Sequence, residues 1–168
     1  MKHVLFAAAC VLLTACAGLR PADLPPGTPR DVVLAKAGRP TQVVALPGGG
    51  QRMQYSLQPI GRQAWMVDLD AAGKVVRIDQ ALTETNLQRI EPGWTRDDVL
   101  REFGPPAWID HVASWDGDIM NYRWRDRAYI DMWYWVYLDR AGIVRRAHPG
   151  VEYPVPGGDG KADVPSKD

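Results

Sequence analysis

An internal repeat limits the fold of this chain more than any other feature. Residues 24–31 read Leu-Pro-Pro-Gly-Thr-Pro-Arg-Asp, and residues 90–97 read Ile-Glu-Pro-Gly-Trp-Thr-Arg-Asp. Three further elements recur in the same order: a Gly-x-Pro at 38–40 and 104–106, a Tyr-bearing segment at 53–55 and 120–122, and an Asp-x-x-Gly at 70–73 and 139–142. This self-similarity predicts two copies of one structural unit.

Each copy is predicted to be a short helix followed by a three-stranded antiparallel meander. Thr95 and Asp98 form a capping-box pattern at the start of the second helix, and Thr28 with Asp31 repeats it in the first copy. The expected strands cover 51–57, 62–70 and 75–79 in the first copy, and 119–125, 128–139 and 143–146 in the second. The predicted class is α+β, with helices packed on two small sheets.

The unit boundaries follow from the same pattern. A further short helix is expected at 84–90, which places the first unit at 24–81 and the second at 82–147. Residues 148–168 are rich in Pro and Gly and are predicted to be a disordered tail.

The N-terminus has the pattern of a secretory signal. Lys2 and His3 form a short basic start, and residues 4–13 are apolar. A transmembrane helix needs roughly 20 apolar residues, so a run of this length is typical of a leader. We therefore expect residues 1–15 to be a signal peptide.

Leu13-Thr14-Ala15-Cys16 resembles the lipobox of bacterial lipoproteins. The resemblance implies that Cys16 becomes the first residue of the mature chain and carries a diacylglycerol thioether and an N-acyl chain such as palmitate. Residues 16–23 would then be a tether, and this covalent lipid is the one prosthetic group expected. Ala17 stands where an Asp usually retains lipoproteins in the inner membrane, which implies the periplasmic side of the outer membrane. The alternative is an ordinary cleaved signal with a chance cysteine.

The repeat itself resembles the SmpA/OmlA (BamE) family of outer-membrane lipoproteins. The best-matching run extends from Leu87 through Gly93-Trp94-Thr95 to Gly104-Pro105-Pro106, and two such units cover about residues 24–147. The resemblance implies helices on a three-stranded antiparallel sheet, in an arrangement similar to the two-repeat fold of β-lactamase inhibitory protein. It also implies a role beside the machinery that inserts outer-membrane β-barrels. Two units where the family has one makes a paralogue with another partner an alternative.

A row of aromatic residues distinguishes the second copy from the first. Alternate residues of a strand point to opposite faces, so Tyr134, Val136 and Leu138 are predicted to lie under the helix, as are Trp65, Val67 and Leu69 in the first copy. The opposite face of the second copy carries Trp133, Trp135 and Tyr137. We predict that these three, with Trp124 and Tyr129, form a partner-binding surface. The alternative is that this face packs against the first repeat or a neighbouring loop.

Composition and motifs favour no catalytic or nucleic-acid function. Lys plus Arg and Asp plus Glu both number 20, so the chain has no basic excess to attract nucleic acid. Neither a Gly-x-Ser-x-Gly, nor an HExxH, nor a phosphate-binding loop is present. Asp110, His111, Asp116 and Asp118 are better explained as a polar hairpin loop than as a metal site.

Three functional hypotheses remain. The first is a non-catalytic, periplasmic protein-binding module of the outer membrane, accessory to β-barrel protein assembly. The second is an inhibitor-type module that captures a periplasmic enzyme, and the third is a hydrolase that uses loop carboxylates.

Overall fold

The structure, a computed structural model, describes residues 21–153. The predicted signal peptide at 1–15 and the acylated Cys16 lie outside the described residues. None of the helices within 21–153 has the length and apolar composition that crossing a bilayer requires.

The two copies contain the same succession of elements. The first copy has helix α1 (Arg30–Ala37) and strands β1 (Gln42–Ala45), β2 (Gln51–Ser56), β3 (Ala64–Leu69) and β4 (Val75–Gln80). A short helix, α2 (Glu84–Leu87), leads into the second copy. That copy has helix α3 (Arg96–Phe103) and strands β5 (Trp108–Asp110), β6 (Ile119–Arg125), β7 (Asp131–Leu138) and β8 (Val144–Val151).

Each copy forms a four-stranded antiparallel meander, in the orders β1-β2-β3-β4 and β5-β6-β7-β8. This confirms the α+β class and the two helix-plus-sheet units, with one strand more per sheet than predicted. The additional strands, β1 and β5, are only four and three residues long, so they carry too little alternation to be recognised in the sequence.

The edges of the units also differ from the prediction. Strand β8 continues to Val151 because it pairs with β7 up to Met132, so residues 148–151 belong to the sheet and not to a disordered tail. At the other end, Pro21–Asp23 form a short 3-10 turn and not an open tether. Leu24 follows this turn and is 4% exposed. Its side chain packs in the core of the first unit and so holds the turn against that unit.

The helices and sheets stack in the order α1, first sheet, α3, second sheet. Helix α1 covers one face of the first sheet, where Val33 packs with Met53 and Val67. Helix α3 lies between the sheets: Val99 and Phe103 share one core with Met66 of the first sheet and Val136 of the second. The two copies therefore share a core.

The repeated residues contact each other in the same way in both copies. The hydroxyl group of Tyr55 donates to the carbonyl of Gly38 (3.2 Å), and that of Tyr122 donates to the carbonyl of Gly104 (2.8 Å). Each glycine ends its helix at a positive φ, 76° and 75°, which favours glycine. Burial raises the pKa of the Tyr122 hydroxyl, which stays protonated as a donor. In each copy, the Tyr and Gly-x-Pro motifs therefore act together: their hydrogen bond joins the end of the helix to the sheet.

The two helices begin differently. Thr95 caps α3 through a complete capping box with Asp98, as predicted. The first copy has no equivalent, which corrects the prediction: Pro29 is the N-cap residue of α1 and offers no side-chain acceptor. The Thr28 hydroxyl instead donates to the Pro25 carbonyl, 2.6 Å away.

We expect the capping box to make stability depend on pH in the acidic range. Hydrogen bonds from the Thr95 hydroxyl and backbone N–H lower the pKa of Asp98 from its ordinary 3.8 to about 2. Because the folded-state pKa lies below the unfolded one, this stabilisation is complete above about pH 4 and is lost as the pH falls towards 2. In urea titrations from pH 5 to 2, Asp98→Asn should show a smaller loss of stability than the native protein.

The Thr95→Ala variant tests the same cap at neutral pH. Its free energy of unfolding should fall by about 1 kcal/mol, the usual contribution of a threonine cap. Thr28→Ala serves as the comparison, because Thr28 does not cap α1. If the stability of Asp98→Asn fell with pH as much as that of the native protein, other carboxylates would be the cause of the loss of stability in acid.

Candidate functional site

The aromatic row of β7 lies on the face of the second sheet that points away from α3. Tyr134, Val136 and Leu138 are buried in the core under the helix, which confirms the predicted face. Val67 and Leu69 occupy the equivalent positions under α1, with Trp65 packed against them. Trp133, Trp135 and Tyr137 alternate with the buried residues and therefore share the opposite, outer face.

Trp124 does not belong to this surface, which corrects the prediction. It is 3% exposed and lies in the core on the α3 side of β6, together with Met120 and Tyr122. Its indole N–H donates to the carbonyl of Trp133 (3.2 Å). Trp124 is two residues from Tyr122 on the same strand, so strand alternation in the sequence already places both on one face.

Tyr129 is exposed but stands apart from the row. It lies in the turn between β6 and β7, with 82% of its surface exposed and a φ of 61°. The turn is closed by Asp126, whose carboxylate accepts the backbone N–H groups of Ala128 and Ile130, each at 2.8 Å. This turn lies beyond the end of the sheet, so Tyr129 and the row present separate surfaces.

In the first copy, the equivalent outer face of the sheet is covered by α3. The equivalent of Trp135 in the first copy is Met66, which packs into the core around α3. The Gln54 amide donates to the carbonyls of Leu100 and Arg101 at the end of α3, 2.9 and 3.1 Å away. The outer face of the first sheet is therefore buried between the repeats. The aromatic row takes no part in this contact.

A buried ion pair extends this contact between the repeats. The Arg52 guanidinium binds both carboxylate oxygens of Asp68, at 2.6 and 3.0 Å. It also lies 3.2 Å from a Glu102 oxygen and donates to the Arg101 carbonyl on α3. The first sheet therefore holds α3 by charge as well as by apolar packing.

On the second sheet, aromatic side chains pack against one another and against neighbouring residues on the outer face. Trp133 is almost fully buried beneath Trp108 (ring centroids 4.4 Å apart) and the guanidinium of Arg123 (5.3 Å). Trp135 covers the backbone of Gly150, where a Cβ atom would lie 2.2 Å from the indole ring. Any other residue at 150 would displace Trp135, so this glycine permits the close approach.

The remaining part of the face combines aromatic rings with cationic side chains. Tyr137 contacts Trp115, whose indole N–H donates to the Leu138 carbonyl (2.7 Å). The Arg146 guanidinium lies 3.9 Å from the Tyr137 ring centroid, and His148 packs beside both Trp135 and Tyr137. Within residues 21–153, Arg146 makes no ion pair.

We call this surface the open face and define it by seven residues: Trp108, Trp115, Trp133, Trp135, Tyr137, Arg146 and His148. Sequence reasoning found three of them. It missed Trp108 and Trp115 because they precede β6 in a short strand and a loop, and their position over the sheet depends on tertiary folding. It missed His148 because it ended the last strand at residue 146, and it assigned no face to Arg146 within that strand. Strand alternation would not have placed them either, because a bulge opposite Tyr137 and Leu138 puts Arg146 and His148 on the face opposite to the buried Val144, although all three are an even number of residues apart.

Two carboxylates lie close together between the repeats, which bears on the hydrolase hypothesis. Asp79 and Glu102 line a small cavity of about 10 Å³ between the repeats, with room for about one water. Arg52, Arg77 and Arg89 line the same cavity, and the first two bind these acids. In the described part of the chain, no three or more His, Cys, Asp or Glu residues are grouped so that they could hold a metal ion.

Comparison with known proteins adds little to this description. No protein-family model matches the chain, and no curated protein matches it. Among solved structures, it is similar to a cysteine-rich secretory protein from Staphylococcus aureus, with 12% identity and a TM-score of 0.29. The match covers 74% of this chain and 44% of that protein, so the chain spans less than half of its length.

Proposed function

We propose that this chain is a non-catalytic protein-binding module of the bacterial envelope that binds its partner through the open face. The observation that carries the proposal is the difference between the two sheets. The outer face of the first sheet is covered by α3, whereas no helix of residues 21–153 covers the outer face of the second. A sheet face that has no helix over it is normally polar, but this one is aromatic.

The packing of the open face suits protein binding. Trp135 and Tyr137 are partly exposed and are held by His148, Arg146 and Trp115, so little side-chain entropy is lost when a partner binds. Trp, Tyr and Arg are also the residues that contribute most to binding energy at protein interfaces.

The cellular context of the proposal rests on the N-terminal sequence. The lipobox-like Leu13-Thr14-Ala15-Cys16 supports a lipid anchor at Cys16 and a location on the periplasmic side of the outer membrane. The resemblance of both repeats to the SmpA/OmlA (BamE) family supports an accessory role in the assembly of β-barrel proteins. A paralogue that binds another envelope protein would use the same surface.

A binding experiment with matched variants tests the proposal. The lipidated full chain is purified from native envelopes in mild detergent as the native protein, as Trp135→Ser/Tyr137→Ser, and as the control Val76→Ser. Val76 is an exposed apolar residue of β4 in the other sheet. The double variant should reduce capture of the partner by more than about tenfold, because it removes two hot-spot residues. The control should capture the partner as the native protein does.

The identity of the partner separates the hypotheses. The purified barrel-assembly components are titrated against each protein by calorimetry, with circular dichroism to verify that the variants are folded. Binding that the double variant loses supports the assembly role. Capture of a soluble periplasmic enzyme would favour the inhibitor-type module. Equal capture by all three proteins would contradict a binding role for the open face.

A further inference from the structure

The open face presents hydrogen-bond donors, and none of its seven residues carries a carboxylate. The indole N–H groups of Trp108 and Trp115 both donate to acceptors within the second repeat. The indole N–H of Trp135 makes no hydrogen bond to any of residues 21–153. Together with the guanidinium of Arg146, it is a donor that a ligand on this face could use. A complementary ligand therefore supplies acceptors.

Arg146 brings an unneutralised positive charge to this face. Its neighbour Arg145 pairs with Asp139 at 2.6 Å, whereas Arg146 makes no ion pair in the described part of the chain. Its guanidinium lies 3.9 Å from the ring centroid of Tyr137 and 5.1 Å from that of Trp115. The charge is thus held against two aromatic rings, and it complements an acidic group of a ligand.

The aromatic rings of the open face are inclined to one another and form an uneven surface. The rings of Trp115 and Tyr137 meet at 78°, with centroids 5.2 Å apart. The ring of His148 lies 5.3 Å from that of Trp135, at 54°. Rigid apolar rings of a ligand can pack against rings that are arranged in this way.

We propose that the open face binds a proline-rich segment that contains an acidic residue, which rests on the protein-binding function proposed above. Proline has no N–H group, so a run of prolines brings carbonyl acceptors and few donors. The polyproline II helix makes no internal hydrogen bonds, so its carbonyls can accept from Trp135 and Arg146. An α-helix uses its carbonyls internally and would leave these donors unpaired.

The aromatic rings and the charge complete the match. Proline-rich segments bind in grooves lined by aromatic residues, where their preformed helix loses little entropy. An acidic side chain beside the prolines would pair with Arg146 through charge-assisted hydrogen bonds. The prolines would pack on Trp135, Tyr137 and Trp115.

Titration with a synthetic peptide tests this proposal on the lipidated full chain in mild detergent. The peptide is a dye-labelled run of prolines with one central glutamate, and binding is measured by fluorescence anisotropy. One matched peptide has glutamine in place of the glutamate, and a second has alanine in place of every proline. We expect the glutamine peptide to bind about fivefold more weakly and the alanine peptide more than about tenfold more weakly. The preference for glutamate should decrease at high salt.

Variants assign each part of the recognition to one side chain. Trp135→Phe keeps an aromatic ring and removes the N–H, and it should weaken binding of the proline peptide about fivefold, the usual effect of one lost hydrogen bond. Arg146→Gln should bind the glutamate and glutamine peptides equally. Lys74→Gln is the control, since Lys74 is exposed in the β3–β4 turn of the first repeat, and it should keep the preference for glutamate.

Three results would overturn the proposal. They are equal binding of the proline and alanine peptides, equal effects of Arg146→Gln and Lys74→Gln on the preference for glutamate, and no binding of any peptide. If no peptide bound while the native protein, but not Trp135→Ser/Tyr137→Ser, still captured a partner from envelopes, the open face would bind a protein surface without prolines. The protein-binding function would then stand, and only the proline-rich ligand would be wrong.

Discussion

Truncation of Phe103 to alanine is expected to lower the free energy of unfolding by about 4 kcal/mol. Phe103 is 2% exposed and ends the helix that lies between the two sheets. Its ring contacts Trp94 and Tyr122, and it shares a core with Met66 of the first sheet. Because one cavity would weaken the support of both sheets, we expect both repeats to lose stability together.

Urea unfolding followed by tryptophan fluorescence and far-ultraviolet circular dichroism measures this effect. The two signals should coincide in a single transition for the native protein and for Phe103→Ala. Val43→Ala, on the exposed edge strand β1, is the matched control and should change stability by less than about 0.5 kcal/mol. Two separate transitions in Phe103→Ala would show that α3 does not couple the repeats.

Replacement of Asp68 by alanine is expected to cost about 3 kcal/mol. Arg52 is 5% exposed and donates two hydrogen bonds to the Asp68 carboxylate. These hydrogen bonds make the largest contribution to the raised pKa of Arg52. The variant leaves a buried guanidinium that is only partly compensated by Glu102, 3.2 Å away, and by the Arg101 carbonyl. The remaining contacts with α3 keep the expected loss near the lower end for a broken buried pair.

A double variant separates the cost of the unpaired charge from the value of the pair. Arg52→Met/Asp68→Leu fills the same space with apolar groups and should recover most of the stability that Asp68→Ala loses. Asp79→Ala, which breaks an exposed pair with Arg77, should cost less than about 1 kcal/mol. If the double variant were as unstable as Asp68→Ala, the ion pair itself, and not the unpaired charge, would hold the repeats together.

The motifs that could be interpreted from the sequence are those whose contacts are local to one unit. The capping box joins Thr95 to Asp98, three residues away, and the Asp-x-x-Gly turns close on themselves through Gly73 and Gly142. The unit class and the buried faces of β3 and β7 depend on alternation within a strand. Each of these features is determined by neighbours along the chain, so residue type and spacing were sufficient to predict them.

Errors arose where one copy departed from the other or where a segment was short. Pro29 occupies the position of Thr95 in the repeat, so the first helix lost its side-chain cap although the surrounding motif is preserved. Trp124 has a residue type that is common at binding surfaces, but its spacing from Tyr122 on the same strand places it on the core side. Its spacing was more informative than its residue type.

The sequence by itself determined that there are two helix-plus-sheet units, because the repeat and the strand alternation recur in both. Only the tertiary structure decided which outer face is covered and which is open. Met66 packs against α3 of the next repeat, whereas the equivalent Trp135 lies over Gly150, and no helix within residues 21–153 covers it. The same stacking brought Arg62 of the first repeat within 2.9 Å of the Asp131 carboxylate of the second. Burial of an outer face depends on contacts between residues far apart in the chain, and no local pattern encodes how two units stack.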